Sequence, residues 1–90
     1  MKFRKDQGVV KVPPMGLLDS VNLIAPSGAQ IMLGVMHIDD LVKERKKNPK
    51  ARAYPMYVAL AMGAHELHLW PVPHKAGELK IRYYPPLEEV

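Results

Sequence analysis

The sequence predicts a small, mostly β fold of the α+β kind: an antiparallel sheet of hairpins with one short helix and extended terminal arms. Two segments, residues 65–70 and 78–84, alternate polar and apolar side chains, the mark of strands with one face buried. Nine prolines and six glycines among 90 residues leave little room for long helices. With 48% hydrophobic and 24% charged positions, the chain has the material for one globular domain and excludes a large multi-domain enzyme.

Taken in order, residues 1–14 mix charge with Gly8, Pro13 and Pro14 around a short Val9-Val10 patch, which predicts an extended N-terminal arm. Phe3, Val9 and Val10 are its apolar residues, and the arm is expected to order on another chain. Residues 15–86 form a single β-rich domain. It opens with a strand over residues 17–25, a turn at Pro26-Ser27-Gly28 and a returning strand over 30–36 with Ile31, Leu33 and Val35 on one face. Residues 37–49 are the one convincing helix. Asp39 and Asp40 sit at its positive start, lysines in its last turn, and Ile38, Leu41 and Val42 form an apolar edge that Arg45 continues with its aliphatic stem.

Residues 53–64 are ambiguous, because Ala, Leu and Met favour helix while Tyr54, Pro55, Tyr57 and Val58 favour strand. The two alternating segments then pair as a final hairpin, Leu67 opposite Ile81 and Leu69 opposite Leu79 inside, Glu66 opposite Arg82 and His68 opposite Lys80 outside. Trp70 and Tyr84 fall on its outward face, the place for an interface. Residues 87–90 are an acidic tail carrying Glu88 and Glu89.

Charge is segregated along the chain. Lys43, Arg45, Lys46, Lys47, Lys50 and Arg52 face only Glu44 within residues 43–52, so a basic patch is expected at the helix end and the loop after it. Phosphates are one class of partner for it. The acidic tail of a neighbouring copy is the other, and the complementarity within one sequence favours that subunit contact.

Chemistry-bearing residues are sparse. The absence of cysteine excludes disulfides, a thiolate nucleophile and Cys-type zinc sites. His65, His68 and His74 with Glu66 do not converge if residues 65–70 are a strand, since His65 and His68 then point to opposite faces. Only Ser20 and Ser27 offer hydroxyl nucleophiles besides tyrosine, and no glycine-rich phosphate loop precedes a lysine. No catalytic residue, metal or cofactor is therefore expected. The uncharged stretch over residues 20–38 is interrupted by Asn22, Pro26, Ser27, Gly28, Gln30 and His37, which argues against a membrane span, and the charged opening leads into no apolar signal region.

The order of motifs is familiar. Pro26-Ser27-Gly28-Ala29-Gln30, then residues 35–41, then Pro55-Met56-Tyr57-Val58-Ala59-Leu60, then Leu67-His68-Leu69-Trp70-Pro71-Val72-Pro73 and Leu79-Lys80-Ile81-Arg82-Tyr83-Tyr84-Pro85-Pro86 resemble the small β-domain of tailed-bacteriophage head-to-tail adaptor, or connector, proteins. The likeness runs from about residue 17 to 86. It implies a strand over 53–64 and a virion structural protein, assembled in the host cytoplasm as a ring beneath the portal through which packaged DNA passes. Implied partners are other copies, portal or tail components and, loosely, DNA. Family members also carry a helical bundle for which this chain has no room. The competing expectation is a small basic nucleic-acid-binding module.

Overall fold

The computed structural model describes residues 1–13, 17–61 and 65–84. Among them the elements run β1 (Lys2–Phe3), β2 (Val9–Lys11), β3 (Leu17–Ile24), β4 (Gln30–Met32), β5 (Gly34–Val35), α1 (Ile38–Lys47), β6 (Arg52–Ala53), β7 (Tyr57–Ala61), β8 (Glu66–Trp70), β9 (Val72–Pro73) and β10 (Gly77–Tyr84). The fold is mostly β with one short helix, as expected, but its strands divide between sheets. One has the order β1-β10-β3-β4, the second β2-β8-β7-β5, and β6 with β9 makes a two-stranded ribbon. The β5–β7 and β6–β9 pairs are parallel.

Period two explains the core. Val21 and Leu23 from β3, Leu79 from β10 and Phe3 from β1 turn inward from the first sheet, and Val10, Val58, Leu67 and Leu69 turn inward from the second. They meet in one apolar cluster between the sheets. The outer face of the second sheet carries Ala59 and Trp70, and there α1 docks Leu41, flanked by Met36 and Ile38. The helix starts where the aspartates predict it. His37 is the N-cap, its Nδ1 accepting from the Asp39 amide at 3.2 Å, and the Asn48 amide closes the other end on the Glu44 carbonyl at 3.1 Å.

The β3–β4 turn falls at Pro26-Ser27-Gly28, with Gly28 at φ 89°, a left-handed conformation that glycine adopts without strain. The returning strand does not persist. The Leu33 amide donates to the Val21 carbonyl at 2.9 Å, but the Gly34 amide donates to Met56 at 2.9 Å, so the chain changes sheets there. The expected common face of Ile31, Leu33 and Val35 is thereby broken: only Leu33 is buried.

The expected final hairpin is a second correction. β8 and β10 are both strands, yet they lie in different sheets: β8 sits between β2 and β7, and β10 between β1 and β3. Ile81 pairs with Val21 rather than Leu67, and Glu66 pairs with Lys11 rather than Arg82. Residues 71–76 make this separation, because Val72 and Pro73 form the ribbon with Arg52 and Ala53 and carry the chain across to the other sheet.

The N-terminal arm is the third. Phe3 is 3% exposed and Val10 is equally buried in the chain's own core, while Val9 is half-buried beside His68, so these residues are structural and not free for a neighbour. Lys2 and Phe3 register with Glu78 and Gly77, the Leu79 amide donates to the Met1 carbonyl at 2.7 Å, and Leu69 donates to Gly8 at 2.9 Å. Few as its apolar residues are, residues 1–13 edge both sheets. Phe3→Ala is therefore expected to cost about 3 kcal/mol by leaving a core cavity, read as a lower urea midpoint; an unchanged midpoint would return this segment to the status of an arm.

Candidate functional site

The structure disperses the expected basic patch. Lys43, Lys46 and Lys50 are exposed, and Lys47 lies 3.9 Å from the Glu44 carboxylate one helical turn back. Arg52 stays on the surface but is tied to its neighbours. Its Nε donates to Asp6 at 2.9 Å and its Nη1 to the Pro49 and Ala51 carbonyls at 3.1 and 3.0 Å. Arg45 is carried deeper: it follows Leu41 by four residues on the docked face, so its guanidinium lies under the helix, 3.1 Å from His68 Nδ1 and 3.5 Å from the Gly8 carbonyl. Arg45 is thus corrected from a surface cation to a clamp on the N-terminal segment, Arg52 stays on the surface paired with Asp6, and Lys43, Lys46 and Lys50 remain exposed.

Around Arg45 lies a row of charge on the second sheet. Lys11 Nζ donates to Glu66 Oε2 at 2.9 Å across the β2–β8 pair, and His68 Nε2 lies 3.6 Å from the other oxygen of Glu66. The Lys11 hydrogen bond, helped by its charge and by His68, holds the Glu66 carboxyl below the usual carboxylate range against some desolvation. His68 is pushed below the ordinary imidazole value, first by burial and then by the Arg45 charge, with Glu66 opposing both. The neutral ring is the form that fits beside Arg45. This arrangement fastens α1 and β2 to β8.

Tyr84 is 57% exposed, in keeping with its outward placement, and registers opposite Leu17, itself 62% exposed. Trp70 is a correction. It faces away from the inter-sheet core, as its position on the strand requires, but α1 covers that face and leaves it 9% exposed against Leu41 and Ala59. Glu88 and Glu89 lie outside the described residues. Among the described residues no group of three or more His, Asp or Glu side chains is placed to hold a metal ion, and no helix is long and apolar enough to cross a membrane.

Sequence patterning misses the most exposed apolar feature. β4 is an edge of the first sheet, and its Ile31 and Met32 are 52% and 75% exposed. No protein-family model matches the chain, and a search of curated proteins returns no match.

The His68 environment makes stability depend on pH in a defined direction. With the folded-state pKa below the ordinary 6.5, the unfolded chain holds the extra proton more tightly, so this contribution is complete above pH 6.5 and is lost as pH falls below it. The urea midpoint is expected to be lower at pH 5.5 than at 7.5, and the difference to shrink in His68→Gln. A His68→Gln chain with the full wild-type slope would assign the effect elsewhere.

Proposed function

We propose that the chain is a non-enzymatic structural protein of a phage virion, a ring-forming head-to-tail connector or related accessory protein that joins copies of itself to portal or tail components. The resemblance over residues 17–86 suggests the class. The observation that carries it is the placement of exposed apolar side chains at two separate places on the first sheet: Ile31 and Met32 on the edge strand β4, and Leu17 with Tyr84 at the far end of β3 and β10. An unpaired edge with exposed apolar residues favours pairing with another chain. Two unlike patches on one subunit suit head-to-tail contact, which closes into a ring where the rotation between copies allows it. The small apolar core gains support from such neighbours.

Exposed Lys43, Lys46 and Lys50 belong to α1 and the loop after it; α1 packs on the second sheet, whereas both patches belong to the first. In a ring around packaged DNA they give loose phosphate contact without base readout. The same lysines favour the second reading, a small basic nucleic-acid-binding module. Salt separates the two. Sedimentation velocity is expected to show an oligomer that persists as salt rises, and three phosphate contacts give a log–log slope of only about −3 for duplex binding. Replacing Lys43, Lys46 and Lys50 with glutamine should leave association intact while duplex binding falls. A chain that stays monomeric and binds duplex tightly would establish the nucleic-acid module instead.

A further inference from the structure

Where β10 begins and β3 turns into β4, an open groove of about 780 Å³ lies along the end of the first sheet. Buried Phe3 and Leu23 line it together with exposed Ile31, Tyr54 and Met56. Its charged residues are Lys2, Lys75 and Glu78, two cations against one carboxylate, all exposed. The groove therefore suits an occupant with apolar side chains and an excess of negative charge.

One such segment is present in the sequence. After Tyr84 the chain continues Pro85-Pro86-Leu87-Glu88-Glu89-Val90, two carboxylates framed by two aliphatic residues. It leaves from the wrong end of β10 to serve its own groove. Glu78 and Tyr84 are separated by roughly 20 Å of strand at about 3.3 Å per residue. From Tyr84 the backbone of Leu87 reaches at most ~11 Å and that of Glu88 ~14 Å, so Leu87 falls short of its own groove even in a straight line back.

We propose that residues 85–90 of one copy occupy the groove of the next, Leu87 and Val90 against Phe3, Ile31 and Met56, and Glu88 and Glu89 beside Lys2 and Lys75. This deepens the ring-forming reading and rests on it for its occupant. Donor and acceptor lie at opposite ends of one strand, so the contact is heterologous and repeats from copy to copy. Its charge fixes direction and encounter rate, and the apolar pair supplies the burial.

The test uses the full chain and two readouts. A fluorescent peptide of residues 83–90 is titrated with wild-type protein and with Lys2→Glu/Lys75→Glu, and the mass of each chain is followed by sedimentation velocity. Saturable peptide binding to wild type, weakened about tenfold or more by the double reversal at low salt, is the expected result. Glu88→Lys/Glu89→Lys should lower self-association by a similar factor, and an equimolar mixture of the two reversed chains should restore it, since each then complements the other. Circular dichroism melts check that the exposed substitutions leave the fold unchanged. If the peptide does not bind, the groove has a different occupant and the contact is overturned. Oligomers that survive both reversals overturn it while leaving ring formation intact. A monomeric wild type that still binds the peptide in a lysine-dependent way overturns both the contact between copies and ring formation in solution.

Discussion

The approach of Phe3 to Gly77 holds the two sheets to a common core, and the rest of the structure follows from it. A side chain as small as a methyl at Gly77 would lie 2.6 Å from the end of the Phe3 ring, so only glycine leaves the ring room to enter between the sheets. With Phe3 seated, β1 edges the first sheet on β10. A few residues later the same segment edges the second sheet as β2 on β8. One short stretch thus edges both sheets, which the chain also joins at Gly34 and through residues 71–76. Asp6 strengthens the link at its bend, its amide donating to the Pro73 carbonyl at 2.9 Å and its carboxylate accepting from Arg52.

The helix completes this scheme from the outside. It brings Leu41 onto Ala59 and Trp70, and it carries Arg45 far enough under itself to meet Gly8 and His68. A single element therefore covers the outer sheet face and clamps the N-terminal segment. Burying a guanidinium is costly unless its donors find acceptors, and here one carbonyl and one imidazole supply them on one side of the group while Nε finds none. Glu66, already engaged by Lys11, lies on the other side of the His68 ring.

Strand identity was legible where alternation is strong. Residues 66–70 and 78–84 announce themselves, and so does the turn at Gly28 and the helix that begins at Asp39 and Asp40. Their partners were not legible, because period two marks which face is buried and says nothing about which strand lies alongside. Glu66 illustrates the point: Arg82 and Lys11 are equally good cations for it, and only the path of residues 71–76 decides between them. The N-terminal segment was misread for a related reason. Phe3 and Val10 are isolated in sequence, and their burial depends on Gly77 and Leu67, more than fifty positions away. Of the expected interface residues, Tyr84 is on the surface, whereas Trp70 was hidden by a helix whose docking face the sequence did reveal.

Pairing β3 with β10 also governs when the protein is able to fold. Val21 emerges from the ribosome long before its partner Ile81 exists. At roughly 5–20 residues per second, the interval between them lasts on the order of 3–12 s. During that time Val21 and Leu23 belong to a strand with only the short β4 to cover it, while other nascent chains on the same message expose the same strand close by. The first sheet closes only after translation has passed β10, and until then β3 is a half-covered strand that another chain is able to meet first.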